Sequence, residues 1–305
     1  IILIEYAGRF LYSKSTKTDQ KFYKEEKSMF KYSYDALVYY GEKVRDSIER
    51  CAKFGYDAIE LCGEPDYYDT AEVRRLCQDK GIAVSSICSV YNNQERDLAH
   101  PDPEMRKKAF EYVKKVVAFA AEIDCHMVIA NPTACCKTVP LAPREEEYKW
   151  GLEGIIKSAE FAEKYNVNLC LECWNRYETY WLNRLEQAAD MVDAVKKDNV
   201  GVMGDLFHMN IDESDMAQAI INCGDKLTHI HFADSNRAAP SKGHIDFVPI
   251  MKALREINYQ GYITFELLPA EADPFGTLKA GGGKEFFDEY TELAIRYIKS
   301  LEASL

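Results

Sequence analysis

Eight short apolar runs, each followed by a longer amphipathic stretch, constrain the fold of this chain more than any other feature. The runs cover residues 1–6, 58–61, 83–88, 127–129, 168–172, 200–205, 227–231 and 262–266. Apolar residues recur at helical spacing over residues 37–54, 70–80, 102–123, 144–165, 184–196, 215–223, 247–257 and 284–301. Strict alternation of this kind indicates βαβ units in a parallel sheet, and eight units close into a barrel. We therefore predict an α/β fold, a single (β/α)8 TIM-barrel domain over residues 1–305.

An open, doubly wound sheet is the structural alternative to a barrel. That fold carries a glycine-rich phosphate loop, G-x-G-x-x-G, after its first strand. After the run at residues 1–6 the sequence reads Ala7-Gly8-Arg9, with one glycine and no such fingerprint. The barrel is therefore the favoured prediction.

Two long segments have neither strand nor helix periodicity. They cover residues from about 9 to 34, after the first predicted strand, and from about 235 to 246, after the seventh. Loops that follow barrel strands lie at the C-terminal face, where ligands bind in this fold. A loop of roughly 25 residues is longer than usual and is more often functional than idle. We expect the two loops to shape the substrate site or to contact a partner.

Charge and cysteine content exclude several classes of protein. The formal net charge is −12, with no basic tract to offset it, which argues against a nucleic-acid partner. No apolar run approaches the roughly 18 residues that a membrane span needs. The run at residues 1–6 contains Glu5 and no basic segment precedes it, which favours a buried strand over a signal peptide. Ten cysteines in 305 residues are too few for a disulfide scaffold, so we expect a cytoplasmic protein.

Four successive predicted strands end in a potential metal ligand. These residues are Glu172, Asp205, His231 and Glu266, separated by 33, 26 and 35 positions. Each interval is about one βα unit, so the four side chains should reach the same level of the barrel. A charged residue at the end of a buried strand must be paired or coordinated. Because this donor set is rich in oxygen, the sequence predicts one divalent metal, for which we expect Mn²⁺, with Mg²⁺ or Co²⁺ as alternatives.

A second polar residue follows three of these ligands by a few positions. Glu178, His208 and Arg237 should lie in the loops over the barrel mouth, where they can form hydrogen bonds with the hydroxyls and carbonyl of a sugar. Solvated loop charges at Glu178 and Arg237, and a packed histidine at His208, remain the structural alternatives.

Four segments resemble the ketose 3-epimerases of the tagatose/psicose type, within the wider sugar isomerase/epimerase group of xylose-isomerase-like barrels. The segments are ECWNRYET (172–179), GDLFHMN (204–210), HIHFADSNR (229–237) and GHID (243–246). The resemblance covers most of the chain and is closest from about residue 166 to 269. It implies that Glu172, Asp205, His231 and Glu266 hold one Mn²⁺, Co²⁺ or Mg²⁺. It also implies that Glu178, His208 and Arg237 bind substrate.

The expected chemistry is removal of a proton next to the carbonyl of a keto-sugar. A divalent metal polarises such a carbonyl and makes the adjacent proton easier to remove. Glu172 and Glu266 come from strands on opposite sides of the mouth, so one can take the proton while the other returns it to the opposite face. We therefore expect a metal-dependent sugar (ketose) 3-epimerase/isomerase with Glu172 and Glu266 as catalytic residues. Its substrate would be a small carbohydrate, and we expect it to form a homo-oligomer.

A second outcome of the same proton transfer is elimination. The long segment at residues 9–34 and an unusual loop from Cys135 to Pro143 depart from the compact epimerases. The barrel also resembles the catalytic subunit of bacterial C-glycoside-deglycosylating complexes, which act on 3-oxo-glycosides and work with a smaller second subunit. Inosose dehydratases are a third relative that shares the first step. The alternative is therefore a carbon–carbon lyase that expels an aglycone.

Other functions fit the sequence less well. Apurinic-site endonucleases use related barrels, but six histidines and a charge of −12 argue against a three-metal site on a DNA-binding face. A partner-binding barrel with a vestigial site would have lost ligands, whereas all four are present. Cys170 and Cys173 form a C-x-x-C, but on a strand their side chains point to opposite faces. His229 shares the inward parity of His231, so we expect it to lie beneath the metal.

Overall fold

Eight parallel strands form a closed barrel in the computed structural model, which describes residues 28–39, 41–270 and 273–305. Neighbouring strands pair in sequence order, and the first strand also pairs with the eighth. The strands are β1 (Lys31–Asp35), β2 (Ala58–Cys62), β3 (Ala83–Cys88), β4 (Met127–Ala130), β5 (Asn168–Glu172), β6 (Val200–Asp205), β7 (Leu227–Phe232) and β8 (Tyr262–Phe265). The predicted (β/α)8 fold is confirmed.

Helices surround the barrel and connect its strands. They are α1 (Val44–Phe54), α2 (Thr70–Lys80), α3 (Pro103–Glu122), α4 (Arg144–Glu163), α5 (Leu185–Val195), α6 (Leu206–Asp212), α7 (Met216–Cys223), α8 (Phe247–Glu256), α9 (Pro274–Lys279) and α10 (Lys284–Glu302). Asp246 caps α8 by accepting a hydrogen bond from the backbone N–H of Val248. None of the helices in the described ranges is long and apolar enough to cross a membrane.

The first strand is not the one predicted. The run at residues 1–6 lies outside the described residues, and the barrel closes through Lys31–Asp35, whose first four residues had been assigned to the loop at 9–34. In this strand Tyr32 and Tyr34 point outward from the barrel. Tyr32 stacks on Phe265, and Tyr34 meets the ring of Tyr56 edge to face. By pattern, the apolar run at residues 1–6 is the stronger strand signal, whereas aromatic and polar residues alternate in Lys31–Asp35. Strands buried on both faces usually form continuous apolar runs instead.

The first helix also begins later than its periodicity suggested. Residues Ala36–Tyr39 form a 3₁₀ turn directly after β1, and α1 begins at Val44. Gly41 lies between them with φ of +76°, a left-handed conformation that interrupts a right-handed helix. This turn and the segment that follows β7, residues 233–246, both lie on the side of the barrel where the strands end.

The interior of the barrel is divided into a polar and an apolar part. Cys88, Ile129, Cys170 and Met203, from β3 to β6, form an apolar cluster separate from the main hydrophobic core. The interior side chains on the other side are polar and buried: Ser33, Asp35, Glu60, Ser86, His229 and His231. Charged groups from β1, β2 and β7 therefore lie directly beneath the mouth.

Candidate active site

The four predicted metal ligands meet at the mouth of the barrel. Glu172 ends β5, Asp205 ends β6, His231 lies in β7, and Glu266 follows β8. One ligand atom from each lies within 4.8 Å of those of the other three. All four side chains are buried. Residues separated by whole βα units thus reach a single point, as their spacing predicted.

Local structure orients the carboxylates of this cluster. Asp205 caps α6: its Oδ1 accepts a hydrogen bond from the backbone N–H of Phe207 at 2.8 Å, which leaves Oδ2 facing the cluster. The backbone N–H of Glu172 donates to Oδ1 of Asn131 at 3.0 Å, which fixes the end of β5. The direction of the Asp205 carboxylate is therefore set by the turn after β6, whereas the end of β5 is held by a residue that follows β4.

The chemistry of this donor set fits a divalent cation. Three carboxylates and one imidazole share a buried volume, and burial, followed by the nearby charge of Glu266, raises the pKa of Glu172 well above its usual range. Carboxylate oxygens with one imidazole suit Mn²⁺ or Mg²⁺ better than a thiolate-preferring metal. A bound cation would also offset the repulsion among the three acids.

His231 contacts carboxylates through both of its ring nitrogens. Its Nδ1 lies 2.8 Å from Oε2 of Glu266 and 3.7 Å from Oδ2 of Asp205, while its Nε2 lies 2.8 Å from Oε1 of Glu60. A carboxylate on the far nitrogen of a ligating histidine fixes the orientation of the ring. The Glu60 carboxylate thus lies at ion-pair distance on the side of the ring away from the cluster, and neither of these two atoms has a hydrogen-bond partner among the described residues.

Glu60 also links His231 to His229. Its Oε2 lies 2.8 Å from Nε2 of His229 and accepts a short hydrogen bond from the hydroxyl of Ser86. Burial raises the pKa of the Glu60 carboxyl, but His231 and His229 outweigh that effect and hold it below the usual range. His229 occupies the inward position expected for it. Glu60 was not predicted; its signal was a single charged residue inside the buried run of β2.

Asp35 lies next to this group at the end of β1. Its Oδ1 accepts a hydrogen bond from the backbone N–H of Leu37 at 2.8 Å, whereas its Oδ2 is buried with no hydrogen-bond partner in the described parts of the chain. Burial raises the pKa of this carboxyl well above its usual range, and Glu60 and Glu266 raise it further. Asp35 was not predicted because its strand was placed elsewhere.

Arg237 contacts two of the predicted ligands directly. Its Nη1 lies 2.6 Å from Oδ2 of Asp205, and its Nη2 forms a shorter contact with Oε2 of Glu266. The guanidinium carbon lies 4.8 Å from the centre of the Phe207 ring. Although burial raises the pKa of Asp205, Arg237 and the nearby histidines hold it below its usual range. The sequence placed Arg237 over the mouth; the structure also makes it an ion-pair partner of the acids.

His208 and Glu178 are joined by an amide that was not predicted. Nδ2 of Asn175 lies 3.0 Å from Oε1 of Glu178 and 2.8 Å from Nδ1 of His208. Because burial lowers the pKa of His208, its ring is neutral near pH 7, and an Nδ1 that accepts from Asn175 leaves the proton on Nε2. That nitrogen lies 3.8 Å from Oε1 of Glu172. The signal for Asn175 was its place in the segment ECWNRYET.

A cavity of about 1680 Å³ opens above these residues. Its lining includes Glu172, His208, Arg237 and Glu266, together with Glu178. Aromatic and aliphatic side chains also line it, among them Tyr91, Trp174, Phe207 and Leu268. The cavity thus combines polar groups with apolar surface, an arrangement typical of small-molecule sites.

Comparison with known proteins points to one family. The model of the protein family described as "Xylose isomerase-like TIM barrel" matches residues 48–285. A D-psicose 3-epimerase from Agrobacterium fabrum is 33% identical over 225 residues, which are 72% of this chain and 77% of that protein. A 3-dehydro-D-guloside 4-epimerase from Escherichia coli is 25% identical over 243 residues, 78% of this chain and 92% of that protein. A crystal structure of a D-psicose 3-epimerase in the presence of D-fructose superposes with a TM-score of 0.80 and 28% identity, covering 90% of this chain and 99% of the other.

Proposed function

Because the chain belongs to the xylose isomerase-like TIM barrel family and is an enzyme of the sugar epimerase/isomerase type, we propose that it is a metal-dependent ketose 3-epimerase. Membership in this family confirms the resemblance found in the sequence. The observation that carries the proposal is the convergence of Glu172, Asp205, His231 and Glu266, each with a ligand atom within 4.8 Å of the others. Glu172 and Glu266 of this cluster line a cavity large enough for a sugar.

Glu172, Asp205, His231 and Glu266 would hold one divalent cation, with Mn²⁺ as our first choice and Mg²⁺ or Co²⁺ as alternatives. When bound, the cation supplies Lewis-acid polarisation of the carbonyl and stabilises the negative charge that develops as the neighbouring proton leaves. Glu60 keeps the ring of His231 turned toward the other three ligands.

Glu172 and Glu266 move the proton. They come from β5 and β8, three strands apart, so a sugar between them presents opposite faces of carbon 3 to the two carboxylates. One carboxylate accepts the proton of carbon 3, and the other donates a proton to the opposite face, which inverts the centre. Arg237 lies against the acid from β8 and stabilises its anionic form.

Three further side chains orient the sugar. Nε2 of His208 points a donor toward the cavity, Glu178 presents an acceptor, and Arg237 has donors at the floor. Asn175 holds His208 and Glu178 in fixed relation, so that the donor and the acceptor reach a substrate together. The rings of Trp174 and Phe207 offer apolar surface for the sugar carbons.

The relatives described above are epimerases, which favours reprotonation over elimination. Expulsion of an aglycone from a 3-oxo-glycoside, the alternative raised by the sequence, shares the first proton transfer but has no support among those relatives.

The test is to incubate the Mn²⁺-loaded enzyme with a panel of ketohexoses in D₂O and follow the products by NMR and mass spectrometry. We expect deuterium at carbon 3 together with the inverted configuration. Glu172→Gln and Glu266→Gln should each abolish inversion, while Glu146→Gln, an exposed carboxylate on α4, serves as the matched control. The proposal fails if no ketose exchanges its carbon 3 proton, and free aglycone from a 3-oxo-C-glycoside would identify elimination instead.

A further inference from the structure

Two adjacent cysteines lie at the rim of the cavity, on the segment between β4 and α4. The Sγ atoms of Cys135 and Cys136 are 3.6 Å apart, and both residues line the cavity. Cys136 is exposed and Cys135 half-buried, whereas the other eight cysteines are buried. The pair is therefore more exposed to small reagents than the other thiols, of which Cys62 and Cys88 also border the cavity but are buried.

The backbone on either side of the pair is anchored. The N–H of Cys135 donates to the carbonyl of Tyr91 at 2.7 Å, and the carbonyl of Lys137 accepts from the N–H of Tyr180 at 3.1 Å. Between these anchors Cys136 has φ of +66°, a left-handed conformation that a non-glycine residue keeps only when its surroundings impose it. The two thiols are consequently held side by side.

The side chain of Lys137 strengthens the second anchor. Its Nζ lies 2.7 Å from Oδ2 of Asp97 and 2.7 Å from Oε2 of Glu147, and all three side chains are buried. The loop is thereby tied to the barrel at the residue immediately after the pair.

Cys135 also contacts a residue to which we assign sugar binding. Its Sγ lies 3.6 Å from Oε2 of Glu178. Burial raises the pKa of the Cys135 thiol, and the Glu178 carboxylate raises it further, so the sulfur keeps its proton and donates it to that carboxylate. A chemical change at Cys135 would therefore act directly on Glu178.

We propose that Cys135 and Cys136 form a dithiol modification site, which a hydroperoxide converts to a disulfide that weakens sugar binding. The effect on sugar binding rests on the proposed function, because it acts through Glu178. No other cysteine pair is needed, and the oxidant is a small molecule that reaches the rim through the cavity.

The chemistry of the step is balanced. The sulfur of Cys136 attacks one peroxide oxygen, the O–O bond breaks, and the products are a sulfenic acid and an alcohol, or water from hydrogen peroxide. The thiol of Cys135 then attacks the sulfenic sulfur, the S–S bond forms, and water leaves with the thiol proton. The two thiols lose two electrons in total, and the peroxide gains them.

The short distance between adjacent residues favours a disulfide that is easily reduced. Adjacent Cα atoms across a trans peptide are about 3.8 Å apart, closer than the roughly 4.4 to 6.8 Å usual for disulfides. A disulfide that departs from the usual geometry is more easily reduced, which suits a labile modification better than a structural crosslink. Once formed, it has no S–H to donate, so Glu178 loses that hydrogen bond.

The test treats the Mn²⁺-loaded enzyme with hydrogen peroxide and analyses it by peptide mass spectrometry and by sugar titration. We expect the mass of the peptide that ends at Lys137 to fall by two hydrogen atoms, and fragmentation to place the disulfide between Cys135 and Cys136. The dissociation constant for the sugar should rise severalfold, because Glu178 loses the S–H donor that helps to hold its carboxylate in place. A dithiol reductant should reverse both changes.

Variants separate this site from general oxidation. Cys136→Ser should prevent both the mass loss and the reversible change in sugar affinity, whereas Cys77→Ser, a buried thiol on α2, should prevent neither. The proposal is overturned if the bond fails to form, or if the oxidised enzyme binds sugar as tightly as the reduced one. The mass measurement does not depend on turnover, so its result stands even if no epimerase activity is found.

Discussion

Oε1 of Glu60, on β2, lies 2.8 Å from Nε2 of His231, on β7, and strands β8 and β1 lie between these two strands in the barrel. The acid thus reaches a proposed metal ligand from beneath, on the side of the ring away from Glu172 and Asp205. It is a positioning residue, because it acts on the site through the histidine.

Replacing Glu60 with glutamine should weaken Mn²⁺ binding. Loss of the carboxylate behind a ligating histidine typically costs about 10- to 100-fold in metal affinity. Calorimetric titration of the metal-free protein measures this directly. Glu64→Gln is the matched control, because Glu64 lies just beyond β2 and pairs with Arg96 instead. Equal Mn²⁺ affinity for Glu60→Gln and the wild type would contradict the positioning role.

Arg237→Met should destabilise the metal-free protein more than the metal-loaded one. Without the guanidinium, the buried acids Asp205 and Glu266 lose a cationic partner, and breaking a buried pair costs about 3 to 5 kcal/mol. A cation that binds only the folded state would restore part of the loss. Urea unfolding with and without Mn²⁺ measures the difference in free energy of unfolding.

The control for this experiment is Arg75→Met. Arg75 pairs with Asp79 on the exposed face of α2, where an ion pair contributes about 0.5 kcal/mol or less. If Mn²⁺ stabilises the wild type and Arg237→Met by the same amount, the inference that the cation compensates for the lost guanidinium is wrong.

Lys137→Met should lower the free energy of unfolding by about 3 to 5 kcal/mol, because it leaves Asp97 and Glu147 as buried, unpaired carboxylates. Lys149→Met is matched to it: Lys149 pairs with Glu146 on the surface of α4, and its loss should cost less than about 1 kcal/mol. Chemical denaturation at neutral pH distinguishes the two. Similar losses in both variants would mean that the buried pairs do not stabilise the loop.

His208 should make the metal-free protein less stable in mild acid. Burial lowers the pKa of His208 in the folded protein below its usual value of 6.5, so in the window between the folded and unfolded pKa values the unfolded chain binds more protons. Stability therefore rises with pH through that window, by at most about 1.4 kcal/mol per pH unit for one group. Denaturation across this range should show a smaller slope for His208→Gln than for the wild type. An identical slope would mean that His208 is not the group responsible.

The sequence was sufficient to predict that the four proposed ligands converge, because each lies at or next to the end of a strand and the intervals match whole βα units. It was insufficient for Glu60, whose role depends on a histidine 171 positions away that reaches it across the barrel. Nor could spacing reveal that Arg237 contacts Asp205, because that contact requires a left-handed backbone in a loop, with φ of +64°. β1 was misplaced because the burial of Tyr32 and Tyr34 depends on residues distant in the sequence, such as Phe265 and Tyr56, which a local pattern does not contain.

The divided interior of the barrel gives the site an asymmetric dielectric environment. Charges on the side of β1, β2 and β7 are screened little, because the apolar wall of Cys88, Ile129, Cys170 and Met203, which meets Asp35 and Glu60 at Cys88, offers few dipoles that can reorient. Exchanging one of these four for a polar side chain would change the field at the cluster without touching any proposed ligand. Such a wall lets substitution tune cation preference and proton affinity while the ligand set stays constant.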